Sequence, residues 1–181
     1  MIETIISNNC VGGTVLHTLG MEFKTPTINL QILPEEYPRF CNHLRQYMAV
    51  DLKEYTDISD RHKGFLQKMF GGIPNMPFGI IADVLVCFQH YSTFEEARNK
   101  WNERKSRIDY DHIGYIFHAR GEEYKAEALA FNALDLPHKL VLTEGFSVDG
   151  GVRFDGDAFS SVNGKTLISQ IYDYKAWREY E

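Results

Sequence analysis

The residues best suited to binding or catalysis stand at positions 8–13, directly after a short apolar strand near the start of the chain. Asparagine tolerates left-handed backbone conformations, and paired glycines let a backbone approach a ligand closely. A turn of this kind before a helix offers free N–H groups to an anion, for example a sugar-nucleotide phosphate. The alternative is a tight turn that binds no ligand. As substrate-binding residues in this segment we predict Ser7, Asn8, Asn9, Gly12 and Gly13.

Cys10 lies within the same turn and is a candidate nucleophile. A cysteine near the start of a helix can have a lowered pKa, and it needs a nearby base. The candidate bases are His17, His90 and His118, of which His90 is the best placed because it follows the most apolar segment of the chain. The alternative role of Cys10 is that of a small side chain packed in the turn.

The elements that must position these residues alternate between strands and helices. Strands are predicted at 3–7, 27–33, 52–55, 78–91, 113–118 and 139–143, and helices at 14–19, 34–48, 63–70, 93–108 and 122–134. Alternation of this kind is typical of a parallel sheet with right-handed crossovers. We predict a single α/β domain over residues 1–181, with a mostly parallel, Rossmann-like sheet and helices on both faces. The apolar stretch 167–177 is expected to pack back on this domain.

Ligands of open parallel sheets bind beyond the carboxyl ends of the strands. The polar residues that follow the later predicted strands are therefore expected to join the Asn-Asn-Cys turn at one rim. Here we predict His90 as general base, with Tyr91, Arg120 and Glu144 as substrate-binding residues; His118 is a further candidate.

Asp83 and Arg104 are two further candidates, each with a structural alternative. Asp83 interrupts an apolar run, where an unpaired carboxylate would cost several kcal/mol. This carboxylate must be satisfied by a turn, by a basic partner such as Arg104 or Arg107, or by a ligand. We predict Asp83 as a candidate catalytic residue. Arg104 lies one helical turn from Trp101 and could bind a phosphate or carboxylate; the alternative is a solvated helix face.

Composition narrows the classes of protein. The net charge of −6 argues against nucleic-acid binding, because phosphate backbones require a basic face. The three cysteines form no CxxC pair, no leader is visible and no apolar stretch is long enough to span a bilayer, so a cytoplasmic location is expected. GxGxxG, HExxH and zinc spacings are absent, and we predict no cofactor and no metal. The pairs Asp109/Asp111 and Asp155/Asp157 match only a loose DxD pattern.

Three blocks of the sequence carry a resemblance. They are Ile6-Ser7-Asn8-Asn9-Cys10-Val11-Gly12-Gly13 with Leu19-Gly20 and Thr25-Pro26-Thr27; Pro77-Phe78-Gly79, Ala82-Asp83, Phe88-Gln89-His90-Tyr91, Glu95-Glu96-Ala97, Lys100-Trp101, Arg104 and Arg107-Ile108; and Tyr172-Asp173-Tyr174-Lys175-Ala176-Trp177. Together they resemble a bacterial family of unknown function whose members are often described as exopolysaccharide biosynthesis proteins. The resemblance spans nearly the whole chain and is weakest over residues 145–163.

The resemblance implies a role in capsule or exopolysaccharide synthesis, with a sugar-nucleotide or lipid-linked sugar as substrate. The first hypothesis is a glycosyl or acyl transferase, in which the turn binds the donor, His90 is the base, and Arg104 or Arg120 neutralises donor charge. The second is an acyltransferase or hydrolase with Cys10 as nucleophile. The third is a non-catalytic accessory or regulatory domain of a polysaccharide-assembly complex. Whether the chain is an enzyme, and its oligomeric state, stay open.

Overall fold

A computed structural model describes residues 1–159, 161–162, 165–166 and 173–179. The strands are β1 (Thr4–Ser7), β2 (Gln31–Ile32), β3 (Lys53–Glu54), β4 (Phe78–Ile81), β5 (Val84–Cys87), β6 (Ile113–Ala119), β7 (Lys139–Glu144), β8 (Val152–Phe154), β9 (Ser161–Val162) and β10 (Lys165–Thr166). The helices are α1 (Val11–Thr18), α2 (Tyr37–Asn42), α3 (Leu44–Ala49), α4 (Asp60–Phe70), α5 (Phe94–Lys105), α6 (Lys125–Asn132) and α7 (Tyr174–Arg178), with a 3₁₀ turn at Glu122–Tyr124. Most predicted elements are present, although several bounds shift.

Four strands form a parallel sheet in the order β1-β6-β7-β8. Ser7 pairs with Ile116, and Ala119 pairs with Thr143, so the carboxyl ends of β1, β6 and β7 lie at one rim. Every residue of β6 is buried, as expected for the strand at the centre of the first three. The parallel prediction therefore holds for the strands at 4–7, 113–119 and 139–144.

The apolar segment 78–91 is not the central strand of that sheet, and this part of the prediction is wrong. It forms the hairpin β4–β5, in which Ile81 pairs with Val84. The hairpin belongs to a separate antiparallel sheet in the order β2-β5-β4-β3. Both faces of β5 are buried, which gives it the apolar composition of a parallel strand. In the described residues the fold is a mixed α/β arrangement of two four-stranded sheets and the short pair β9–β10, and a single Rossmann-like sheet is absent from them.

Two helices lie close to where the sequence predicts them, and a third predicted helix is divided. Thr93 caps α5 by accepting the N–H of Glu96, and Ser59 caps α4 by accepting the N–H of His62. The helix predicted at 34–48 is divided at His43, whose φ of −123° and ψ of 28° are not helical. Both parts keep their apolar face on the core.

The two sheets are joined at the carboxyl end of β1. The Ile32 N–H donates to the Asn8 carbonyl at 2.8 Å, and the Tyr37 hydroxyl donates to the Ile6 carbonyl at 2.9 Å. One hydrophobic cluster contains residues of both sheets, among them Ile6, Val84 and Phe117. This junction brings the loop after β1 beside the loop after β5.

The apolar stretch near the C-terminus is described only in part. Residues 167–172 of the apolar stretch that was expected to pack back lie outside the described residues, whereas Trp177 packs on the cluster around β1.

Across the described residues, no helix combines the length and hydropathy needed to cross a bilayer.

Candidate functional site

The turn after β1 is held by its own side chains. Ser7 Oγ donates to the Asn9 carbonyl at 2.7 Å and accepts the Gly12 N–H at 3.1 Å. Asn9 Oδ1 accepts the Val11 N–H at 3.1 Å. A Cβ at position 12 would lie 2.4 Å from Ser7 Oγ, so the turn requires glycine there. The N–H groups of Val11 and Gly12, which were expected to face an anion, are already occupied.

Asn8 connects the turn to β6. Its Nδ2 donates to the His118 carbonyl at 3.0 Å, and its Oδ1 accepts the His118 N–H at 2.8 Å. The side chain is fully buried and takes the place of a backbone partner at the end of the parallel ladder. Asn8 therefore sets the register of the turn against β6. Gly13 lies against Ile28, where a Cβ would meet the side chain at 3.5 Å.

Asn9, His118 and Glu144 form a hydrogen-bonded row across the rim of the parallel sheet. Asn9 Nδ2 lies 3.0 Å from His118 Nδ1, and His118 Nε2 lies 3.0 Å from Glu144 Oε1. The residues come from the ends of β1, β6 and β7, as the strand-end rule predicts. His118 is buried and Glu144 is only slightly exposed.

The hydrogen bonds assign the protons of this row. The Val11 N–H can donate only to an oxygen, so Asn9 must turn its NH₂ group towards His118. His118 Nδ1 is then the acceptor, and its Nε2–H donates to Glu144. Burial raises the pKa of Glu144, but hydrogen bonds from His118 and the Ala158 N–H, with the charge of Arg120, lower it overall. The row therefore joins an imidazole that accepts at Nδ1 and donates from Nε2 to an ionised carboxylate.

Arg120 follows β6 and stands at the outer end of this row. Its Nε lies 3.7 Å from Glu144 Oε1, and its NH2 lies 3.2 Å from Asp157 Oδ1. The guanidinium also lies 5.5 Å from the ring centroid of Phe159. Half of the Arg120 side chain remains exposed, so it is available to a ligand.

A pocket of about 330 Å³ opens between this row and the antiparallel sheet. Its polar lining comes from Asn9, Gln31, Gln89, His118, Arg120, Glu123 and Tyr124, and its apolar lining from Pro34, Met69 and Phe70. Larger and more open grooves exist elsewhere on the surface, but this one receives side chains from the strand ends of both sheets. We take it as the candidate site because it joins concave shape with converging polar groups.

Cys10 borders the pocket without the properties of a nucleophile. Its thiol lies 3.8 Å from Gln89 Oε1 and 4.0 Å from the Leu30 carbonyl. Burial raises the pKa of Cys10 to about 11, although its backbone hydrogen bond and the charge of Arg120 act in the opposite direction. At neutral pH the thiol is protonated, which disfavours covalent catalysis through Cys10.

Asp83 lies away from the pocket, in the turn of the β4–β5 hairpin. It pairs with Arg39 and accepts the Tyr47 hydroxyl at 3.0 Å, and neither Arg104 nor Arg107 is its partner. Burial raises the pKa of Asp83, but these hydrogen bonds and the Arg39 charge lower it overall. Asp83 is satisfied by a basic partner other than the two that were expected, together with a tyrosine hydroxyl, and a ligand is not needed to satisfy this carboxylate.

His90, Tyr91 and Arg104 lie in or against the loop after β5. His90 is exposed and directly follows Gln89 of the pocket lining. The Arg104 NH1 donates to the Tyr91 hydroxyl at 2.9 Å, and that hydroxyl donates to the Ile28 carbonyl at 3.2 Å. Tyr91 and Arg104 therefore fix the segment before β2 and do not line the pocket. The shared rim was expected between the Asn-Asn-Cys turn and His90 on adjacent parallel strands. The strand before His90 belongs instead to the antiparallel sheet, and Gln89 is the residue of this loop that lines the pocket beside the turn.

Sequence reasoning missed Gln31, Gln89 and Tyr124 of the pocket lining. Gln31 is buried in β2. The signal that could have identified it in the sequence is a polar residue between apolar neighbours. A second buried network, of Glu36 and His62, was also missed. Glu36 is fully buried, and its Oε1 lies 3.1 Å from His62 Nε2. Its other carboxylate oxygen accepts the Leu85 N–H at 2.8 Å.

The DxD pairs are engaged in local ion pairs. Asp109 contacts His112 at 2.9 Å, and Asp155 contacts Arg153 at 2.8 Å. Asp157 contacts Arg120, as described above. Within the described ranges, no cluster of three or more His, Cys, Asp or Glu side chains has an arrangement that could hold a metal ion.

These features define an α/β protein in which a parallel and an antiparallel sheet share a polar pocket at their junction. Residues 2–149 match a domain of unknown function, DUF1919, and the chain belongs to that family. It is similar to an uncharacterized protein of Haemophilus influenzae, with 29% identity over 187 residues that cover 96% of this chain and 82% of that protein. The family match includes every residue that lines the pocket, whereas Asp157 and Phe159 lie beyond it. Neither similarity describes polysaccharide synthesis.

Proposed function

We propose that the chain is a glycosyltransferase of bacterial surface-polysaccharide assembly that holds one sugar unit of its substrate in the pocket between the two sheets. The observation that carries this proposal is the pocket lining, in which the carboxamides of Asn9, Gln31 and Gln89 converge beside Arg120. The resemblance to exopolysaccharide biosynthesis proteins supports the same class of substrate.

The lining matches the chemistry of a sugar. A carboxamide both donates and accepts hydrogen bonds, as a sugar hydroxyl does, so neighbouring carboxamides can bind neighbouring hydroxyls. The apolar wall of Met69 and Phe70 suits the C–H face of a pyranose ring. A volume of about 330 Å³ is at the small end of ligand pockets and suits a monosaccharide better than a whole sugar nucleotide.

Arg120 is the residue best placed to bind the phosphate of an activated sugar. Its Nε and NH2 face Glu144 and Asp157, which leaves NH1 for a ligand. Arg104 was the alternative, but its guanidinium is engaged by Tyr91 and Phe23. An arginine held in position by carboxylates keeps its orientation when the ligand arrives.

The transfer step follows from these positions. The oxygen of an acceptor hydroxyl forms a bond to the anomeric carbon of the donor, and the bond from that carbon to the phosphate oxygen breaks. The phosphate leaves with the electron pair and is neutralised by Arg120. His90, exposed beside Gln89, takes the hydroxyl proton as general base. Both nitrogens of His118 are engaged, so His118 positions the Asn9 carboxamide and moves no proton.

Calorimetric titration with hexose 1-phosphates and sugar nucleotides tests the proposal. Gln89→Ala and Arg120→Ala are each expected to raise the Kd about tenfold, the effect of losing one hydrogen bond to a polar or charged group. Gln67→Ala and Arg98→Ala are matched controls, because both side chains are exposed and neither lines this pocket. The absence of binding to all of these compounds, or binding unchanged by both pocket variants, would contradict the proposal and favour the accessory-domain hypothesis.

A further inference from the structure

The hydroxyl of Tyr124 is a buried polar group that has no partner in the described part of the chain. Tyr124 is the last residue of the 3₁₀ turn after β6, is 3% exposed and lines the pocket. Among the described residues, none forms a hydrogen bond with its hydroxyl. Because an unpaired buried hydroxyl is costly, a partner from the pocket would lower its free energy.

The charges of three acidic side chains act on this hydroxyl. Burial raises the pKa of Tyr124 well above its usual value, and the charges of Glu35, Glu123 and Glu127 raise it further. Lys68 is the cation of the group, with its Nζ 3.0 Å from Glu35 Oε1, 3.9 Å from Glu127 Oε1 and 4.2 Å from the Tyr124 ring centroid. One lysine does not balance three carboxylates, so this end of the pocket is electronegative.

Two of these carboxylates also have unused hydrogen-bonding capacity. Glu35 Oε2 and Glu127 Oε2 are buried and, like the Tyr124 hydroxyl, have no partner among the described residues. A negatively charged ligand group would be repelled here, whereas a positively charged donor would be attracted. Arg120 provides the opposite charge elsewhere in the pocket lining.

We propose that the pocket selects a sugar with a free amino group, whose ammonium is bound at Tyr124 and Glu123 while the phosphate is bound at Arg120. This inference rests on the proposed sugar-binding function and specifies its substrate class as an unacetylated amino-sugar phosphate. Glu35 and Glu127 act through the field that they create at this end, since neither lines the pocket directly. An N-acetyl group would remove the positive charge, and a plain hydroxyl would lack it.

Titrations with glucosamine 1-phosphate, N-acetylglucosamine 1-phosphate and glucose 1-phosphate at about pH 6.5, where the free amine is protonated, test this inference. Glucosamine 1-phosphate is expected to bind about tenfold more tightly than the other two. Tyr124→Phe and Glu123→Gln are expected to remove most of that preference, measured as the ratio of the Kd of glucose 1-phosphate to the Kd of glucosamine 1-phosphate in each variant. Tyr110→Phe and Glu122→Gln are controls outside the pocket, and both are expected to keep the preference.

The outcomes separate the inference from the function on which it rests. Equal binding of the three sugars overturns the amino-sugar inference and leaves the sugar-binding function standing. Failure of all three to bind overturns both. A preference that survives in Tyr124→Phe and Glu123→Gln assigns the ammonium to another place and overturns the inference. Thermal unfolding without ligand gives a second measurement: Tyr124→Phe is expected to keep or raise the Tm, and a lower Tm would reveal a protein partner of the hydroxyl and overturn the inference.

Discussion

The protein contains two buried histidine–carboxylate networks, one in each half of the fold. In the parallel half, His118 lies between Asn9 and a partly exposed Glu144 beside the pocket. In the antiparallel half, His62 lies between Tyr55 and a fully buried Glu36. The chemical groups are similar, but their surroundings differ.

Glu36 is satisfied entirely by the protein. It contacts His62 and Arg61, each at 3.1 Å, and accepts the Leu85 N–H, which connects α2, α4 and β5. Glu144 contacts Arg120, which lines the pocket, whereas Arg61 is equally exposed but lines no part of it. The comparison shows that the histidine–carboxylate pair with the fully buried carboxylate stabilises the fold, and that the pair whose arginine lines a pocket belongs to the candidate site.

The largest expected difference between the networks is in stability. Glu36→Gln removes the charge that balances Arg61 and His62 in a buried position, and we expect it to lower the free energy of unfolding by about 3–5 kcal/mol. The carboxylate of Glu144 is partly hydrated, so we expect Glu144→Gln to lower the free energy of unfolding by only about 1 kcal/mol. Urea unfolding measures both, with the exposed Glu54→Gln as control. Equal losses from Glu36→Gln and Glu144→Gln would remove the distinction between a structural and a site network.

The pH dependence of stability should separate the networks next. The hydrogen bond to Glu36 raises the pKa of His62 above its ordinary value of 6.5, so this contribution is complete below that value and is lost as the pH rises through the folded pKa. Glu144 has its pKa lowered below 4.5, so its contribution is present above that value and is lost as the pH falls through the folded pKa.

Unfolding curves across the pH range test these opposite directions. His62→Gln is expected to flatten the alkaline side of the stability profile, and Glu144→Gln is expected to flatten the acid side. Wild-type protein measured in parallel gives the reference profile. A variant that changes the other side of the profile would show that its residue is assigned to the wrong network.

The smallest effect concerns the protons of His118. Asn9→Asp replaces the NH₂ donor facing Nδ1 with a carboxylate oxygen, so we expect the ring to take up a second proton at neutral pH. Long-range ¹H–¹⁵N spectra of the imidazoles report this change directly. The exposed Asn102→Asp is the control and should leave the His118 signals unchanged. A wild-type ring with its proton on Nδ1 would contradict the assignment to Nε2.

Sequence reasoning located the part of the site that belongs to the parallel sheet. The strand-end rule gathered Asn9, Arg120 and Glu144 because parallel strands place their carboxyl ends at one rim, whatever the details of packing. Sequence reasoning failed for the segment 78–91, which was predicted as one central strand of the parallel sheet and forms a hairpin of the antiparallel sheet. The hairpin turn at Ala82-Asp83 has a positive φ of 53° at Ala82 and contains no glycine, so the usual signal of a tight hairpin is missing.

The remaining lining could not be read from local sequence. Gln31 and Gln89 reach the pocket because the antiparallel sheet docks on the carboxyl end of β1, and such docking depends on contacts distant in the chain. Tyr124 looks like an ordinary core aromatic in sequence, and only the fold shows that its buried hydroxyl has no partner among the described residues. A periodic pattern fixes which face of an element is buried but not which other element covers it.

The placement of the pocket at the junction has a consequence for local opening of the fold. A ligand that contacts Asn9 and Gln31 together would connect strands that otherwise fluctuate as parts of different sheets. Its binding energy would therefore oppose the separate fraying of each half. When the ligand fills the pocket, amide hydrogen exchange in β2 and β5 would slow as much as exchange in β1 and β6. The antiparallel sheet would therefore show the effect of the ligand although it does not contact the phosphate.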